Sequence, residues 1–273
     1  DPVGRRQFLD VGDLVLESGA VLPGVRIAYE TWGTLNAAGD NAVLVEHALT
    51  GDSHVTGPAE PGHPTPGWWD SLVGPGRPID TDRWFVVAPN VVGGCQGTTG
   101  PASPGPDGRP CGDQIAWAHA QLAAIRADAG WRGGDYYDAP PGEGPHVGLG
   151  IARQIAHTTY RSAIELDTRF GRAPQDGEDP FAGGRYAVQS YLDHHARKLA
   201  WRFDANSYLV LTESILSHDV GRGRGGVAAA LARATARALV VAVDTDRLYL
   251  PAQSEELVAA LPRASRVHMV RSD

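Results

Sequence analysis

The run NAVLVEHALTGD at 41–52 places the tightest constraint on what this sequence can fold into. Residues 42–45 are apolar on both alternating faces, as a strand covered by helices on either side must be, and the run stops abruptly at a polar turn containing glycine. It therefore predicts a buried parallel strand, with His47 to Asp52 forming the loop at its C-terminal end. In open α/β sheets the ligand crevice lies outside that end, where backbone N–H groups can meet a substrate. Taken alone, the stretch is more simply an ordinary strand exit.

The surrounding pattern fits a sheet. Two apolar stretches, LVLESGAVL and VRIAYETWG, read as an antiparallel hairpin interrupted at Gly19 and at Pro23-Gly24. WFVVAPNVV at 84–92 is a second run with both faces apolar, so a parallel sheet is expected from here. The connection between the two runs is rich in Pro and Gly and carries Trp68 and Trp69; loops of that length are more often functional than idle. After residue 112 the pattern becomes helical. Asp113 is placed to N-cap a helix whose Ile115, Ala118, Leu122 and Ile125 share one face. Further helices are expected near 149–164, 186–201 and 207–218, a strand at 237–243, a helix at 254–261 and a last strand at 266–270. The division read from this pattern is 1–112 as the first part of an α/β core, 113–226 as a helical insertion, and 227–273 as the rest of the core.

Composition narrows the partners. Acidic residues outnumber basic ones by 32 to 24, a net charge of −8, which disfavours nucleic acid and anionic membranes and points to small molecules. The two cysteines, Cys95 and Cys111, fall far short of a disulfide-stapled scaffold, and DPVGRRQFLD lacks the apolar core of a leader. No apolar run approaches membrane-spanning length, so a cytoplasmic location is expected.

Several motifs carry candidate chemistry. Gly93-Gly94-Cys95-Gln96-Gly97 has the form of a nucleophile elbow, but the Pro- and Gly-rich stretch after it forbids the helix an elbow needs, so Cys95 reads as a small residue in a tight turn. GRGRGG at 221–226 matches a dinucleotide loop in letters only, since a helix precedes it. The ten histidines show no metal-binding spacing, and no metal is predicted. Asp244 and Asp246 follow a strand, where an acid can orient a histidine; their simpler role is in a turn. Arg153 and Tyr160 stand seven residues apart, close to one helix face at about 100° per residue. They are either a guanidinium and phenol facing one carboxylate ligand or a surface arginine beside a packed tyrosine.

Together, AYETWGTLN, HALTGDSHVTG, GWWDSLVGPGRPIDTDRWFVVAPNVVGGCQGTTGPAS, AGWRGGDYY, ARQIAHTTYRS, ELDTRFGR, YAVQSYLDHHARKLAWRFDANSYLVLT, HDVGRGRGG and DTDRLYLP resemble the homoserine O-acetyltransferase family. The resemblance extends over nearly the whole chain. It implies an α/β-hydrolase fold with a helical lid, and an acyltransferase of methionine biosynthesis working by a ping-pong route. A serine takes acetyl from acetyl-CoA as co-substrate and passes it to L-homoserine, with a histidine as base, an aspartate orienting it, and backbone N–H groups stabilising the oxyanion. Carried over by motif, Asp246 is the triad acid, Leu49 supplies an oxyanion-hole N–H with Thr50 beside it in the pocket, and Arg153 and Tyr160 bind homoserine. No bound cofactor is implied. Homodimers are expected, as in the family.

Against that family the sequence has two gaps. Between Gly112 and Asp113 the family carries about 60 further residues, two αβ units that include the strand and elbow with the nucleophilic serine. No G-x-S-x-G occurs in this chain. The motif supplying the triad histidine would follow the last strand, where the sequence ends. The expectation is an incomplete sequence with an incomplete central sheet, inactive as written. Two alternatives stand beside it: a non-catalytic binding relative, and a related acyltransferase using succinyl-CoA or another hydroxyl acceptor. A Cys95 hydrolase is a third, weaker one.

Overall fold

A computed structural model describes residues 6–16, 19–94, 96, 98, 112–264 and 266–272, with the backbone alone at 112–115. Cys95, Cys111 and the Asp273 terminus lie outside the described residues. The chain divides into two compact units, one formed by residues 1–108 and 202–214, the other by 109–201 and 215–273.

The first unit is built on the expected hairpin. β1 (Gln7–Val15) pairs antiparallel with β2 (Val21–Trp32), and the Leu16 N–H donates to the Ala20 carbonyl beyond the last paired residues. Pro23-Gly24 does not interrupt the hairpin. It lies inside β2, where a glycine accommodates φ +57°. Next come β3 (Ala42–Leu44), two short strands β4 (Val73–Gly74) and β5 (Ile79–Asp80) that pair with each other, and β6 (Phe85–Pro89). The main sheet has the order β1-β2-β6-β3, with β6 antiparallel to β2 and parallel to β3. Trp32, Val45, Val55, Val73, Val86 and Ala88 form its core.

One expectation is corrected here. Among the described residues β3 is an edge strand, and Leu44 is 62% exposed, so the strand is not buried on both faces. Its sequence has the apolar character of an interior strand, but it has a partner on one side only.

The second unit is mostly helical. α1 (Gly112–Ala127) starts one residue before Asp113, and its Ala118, Leu122 and Ile125 are buried as the pattern required. α2 (His146–Thr159) packs against α1 and against α4 (Ala187–Ala200). The single helix expected over 149–164 is two, because Ser162 leaves the helical path and accepts a hydrogen bond from Glu165 N–H to cap α3 (Ala163–Arg169). α5 (Ala205–Ser217) and the short α6 (Val227–Leu231) follow. β7 (Val240–Val243) and β8 (Val267–Val270) form a parallel pair around α7 (Pro251–Ala260). None of the described helices is long and apolar enough to cross a membrane.

The crossing of α1 and α2 depends on one glycine. A Cβ on Gly148 would stand 2.5 Å from the Ala124 carbonyl and 2.9 Å from Ile125 Cα. Asp128 fixes the same corner, its carboxylate accepting N–H groups of Gly130 at 2.8 Å and Gly148 at 2.6 Å. Gly148→Ala should therefore destabilise the protein by about 2 kcal/mol through overpacking, read as a lowered urea midpoint with α-helical signal lost first.

Candidate active site

The parallel pairing of β3 with β6 brings their two exit loops to one edge of the sheet, the position at which ligands bind in α/β folds. After β3 the chain forms a tight turn in which Gly51 N–H donates to Ala48 O at 2.7 Å. Leu49 and Thr50 are the two corner residues, both half-buried. The Leu49 N–H has no acceptor among the described residues. The Thr50 carbonyl accepts from Arg202 Nη1 at 3.0 Å, which fixes the far side of the turn. His47 bridges to the other loop: its Nε2 accepts the Val91 N–H at 3.1 Å.

Just beyond the turn lies a buried ionic cluster that the sequence reading missed. Glu30 of β2 is fully buried, and its carboxylate accepts from Ser53 Oγ at 3.0 Å and pairs with His54 Nδ1 at 3.2 Å. His63 Nε2 lies 3.3 Å from the other carboxylate oxygen without hydrogen-bond alignment. Arg6 donates to Gly62 O, to Gln96 Oε1 and to His63 Nδ1. Both His54 nitrogens face acceptors, the Glu30 carboxylate and the Pro58 carbonyl at 3.2 Å, so the ring is an imidazolium. Burial opposes that charge, but the Glu30 hydrogen bond and charge outweigh it and hold the His54 pKa above the usual 6.5. Burial likewise opposes the Glu30 carboxylate, and donation from His54 and the charge of His63 bring it below 4.5. Burial, ahead of any neighbouring charge, pushes the His63 pKa below the usual 6.5. The signal for the cluster was present in β2: Glu30 falls on the inward register of Ala28 and Trp32, where an acid must find partners.

Glu30, His54 and His63 have the composition of a metal site, with one ligand atom of each within 4.8 Å of the others. The geometry does not fit one. The two imidazoles stack at 4.0 Å and 13°, so their lone pairs lie in separate, nearly parallel planes and do not converge on a single ion. His63 also receives Arg6 on its other nitrogen, whereas a metal-bound imidazole donates from there.

In the second unit, Arg153 and Tyr160 come together as their spacing allowed. Arg153 Nη1 donates to the Tyr160 hydroxyl at 3.5 Å, and the guanidinium lies 5.3 Å from the ring centre. Among the described residues Arg153 has no carboxylate partner. Tyr160 rests on His157, which is buried, stacks on His195 at 4.1 Å and meets the Tyr191 hydroxyl at 3.2 Å. Burial, then the charges of Arg153 and His195, push the His157 pKa down to about 3, so this support is neutral. Asp246 sits in the turn after β7. Its Oδ1 accepts N–H groups of Leu248 and Tyr249, and its Oδ2 has no partner among the described residues. Partial burial first, then Tyr160 and Asp246, raise the phenol pKa of Tyr249, whose N–H is one of those that Asp246 accepts. Cys95 falls outside the described residues, and the loop 221–226 is a turn leading into α6.

The fold identifies a class. A homoserine O-acetyltransferase from Bacillus anthracis superposes with a TM-score of 0.79, covering 98% of this chain and 91% of its own at 21% identity. Esterase E22 gives the same TM-score at 21% identity, covering 98% and 93%. The chain has the α/β-hydrolase fold shared by such acyltransferases and esterases. No family model matches it. It is 52% identical to the homoserine O-acetyltransferase of Thermobifida fusca (strain YX) over 338 aligned residues, taking in 100% of this chain and 89% of the relative. The chain belongs to the homoserine O-acetyltransferase family and is an acyltransferase by descent. Because the alignment is longer than the chain's 273 residues, the relative has residues at positions where this chain has none.

The ionic cluster makes a prediction about stability. The contribution of its Glu30–His54 pair is fully present between the ordinary carboxylate value of 4.5 and the ordinary imidazole value of 6.5. Above 6.5 it is lost as pH rises through the raised pKa of His54; below 4.5 it is lost as pH falls through the lowered pKa of Glu30. Glu30→Gln should cost about 3 kcal/mol near pH 6 and remove the alkaline decline, measured by urea unfolding across the range.

Proposed function

We propose that the protein binds L-homoserine as the acceptor in acyl transfer from acetyl-CoA, with Arg153 and Tyr160 as its carboxylate clamp. The observation that carries this reading is a guanidinium that among the described residues has no carboxylate partner, beside a phenol hydroxyl, on a helix whose buried face is fixed by His157 and Tyr191. A guanidinium presents parallel donors that match a carboxylate, and the phenol adds orientation. The residues 113–226 act as the lid that carries this clamp.

In the same reading the Leu49 N–H is one donor of an oxyanion hole, Thr50 borders the pocket, and Asp246 uses its remaining oxygen to orient a catalytic histidine. The route is ping-pong: an acyl-serine forms with loss of CoA, and the homoserine hydroxyl then displaces the serine, its proton passing to the histidine. That serine belongs on an elbow, and no G-x-S-x-G occurs in these 273 residues. The chain as given therefore retains acceptor binding but does not turn over.

Two measurements test this. Calorimetry should detect L-homoserine binding to the folded chain, weakened at least ~10-fold by Arg153→Ala and less by Tyr160→Phe; no binding to the folded wild type would overturn the clamp. Acetyl-CoA consumption in the presence of homoserine should stay at background, and measurable O-acetylhomoserine formation would sink the claim that the chain lacks turnover.

A further inference from the structure

The Ala48 carbonyl is held twice, by Gly51 N–H at 2.7 Å and by His47 Nδ1 at 2.8 Å. The same peptide unit carries the Leu49 N–H. In a planar trans peptide the carbonyl and the N–H point in opposite directions, so pinning the oxygen aims the hydrogen. We propose that His47 is a positioning residue whose Nδ1–H, by fixing the Ala48 carbonyl, directs the Leu49 N–H at the oxyanion of an acyl-transfer intermediate. This rests on the assignment of Leu49 as an oxyanion donor.

The contacts of His47 select one state of the ring. The Ala48 carbonyl can only accept, so Nδ1 carries a proton; the Val91 N–H can only donate, so Nε2 is bare. Asn90 Oδ1 also lies 3.0 Å from Nε2, and it is only with the amide turned about, its nitrogen to the ring, that Asn90 becomes a second donor to the same lone pair. The neutral Nδ1–H tautomer satisfies the Ala48 and Val91 contacts as they stand, and the Asn90 contact with the amide so turned. An Nε2–H ring would forfeit both the Ala48 and the Val91 bonds. Asn90 is 1% exposed, so the group that backs the ring is itself fixed.

Local packing agrees. A Cβ on Gly51 would stand 2.8 Å from His47 Cβ and 3.1 Å from the Ala48 oxygen. The ring can close on the carbonyl of its neighbour because position 51 has no side chain. Arg202 holds the Thr50 carbonyl at the other end of the turn, so the two peptides flanking Leu49 and Thr50 are each tethered by a side chain.

The test uses nuclear magnetic resonance on the full 273-residue chain and needs no turnover. Imidazole ¹⁵N spectra should show His47 protonated at Nδ1 and bare at Nε2. His47→Ala should shift the Ala48 carbonyl and Leu49 amide resonances and broaden the latter. His47→Asn, which returns an N–H near the Nδ1 position, should restore them, with β3 and β6 resonances unchanged throughout. A ring protonated at Nε2 alone, or Leu49 resonances identical in wild type and His47→Ala, overturns the proposal. Should His47→Ala not fold, the wild-type tautomer and the response of Leu49 to Gly51→Ala, which must displace the ring, decide it. Loss of acyl transfer or of homoserine binding leaves these readouts untouched, so the two readings fail separately.

Discussion

A carboxylate with no access to water sets the terms for the first unit. Burying Glu30 is costly unless its oxygens are occupied, and the occupants come from far along the chain: Ser53 and His54 after β3, His63 within the long connection, with Arg6 behind His63. The Pro- and Gly-rich segment between β3 and β6 would otherwise carry a large ordering cost. Tied to β2 through Glu30, it is fixed within a few residues of the turn that presents Leu49. Trp68, whose indole N–H donates to Asp52 O at 3.0 Å, adds a tether on the same side.

The sheet edges tell a complementary story. Leu44 of β3 and Val241 of β7 are each more than half exposed, although both strands have the apolar composition that parallel sheets keep covered. The family alignment contains residues that this chain lacks, and the expected missing segment includes an interior strand and its elbow. Among the described residues each of these strands has one partner, β3 pairing with β6 and β7 with β8.

The parts of the fold fixed by local rules were legible in the sequence. The β1-β2 hairpin, the parallel character of β3 and β6, the buried face of α1 and the Arg153-Tyr160 pair follow from alternation, apolar runs and helical period. The turn at Ser162 was missed because ARQIAHTTYRSAI keeps a helical composition through the cap, and only the hydrogen bond to Glu165 reveals it. The partners of Glu30 were not legible because they depend on long-range contact: His54 and His63 stand 24 and more residues away, in a loop without periodicity. In sequence terms His47 is one residue of an exit loop. Its use depends on Val91, which sequence spacing alone does not bring near.

That last contact has a consequence for the order in which the molecule assembles. The bond from His47 to Ala48 spans one residue and can form as soon as the turn does. The bond from Val91 spans 44 residues and must await the docking of β6 beside β3. Loop-closure entropy makes such distant contacts late events. Until then only the local bond to Ala48 favours the Nδ1–H tautomer, and the ring that holds that carbonyl has no anchor on β6's exit loop. The turn is thus made locally but secured only with the sheet, and a chain arrested before β6 docks would contain the turn without the Val91 contact that backs its ring.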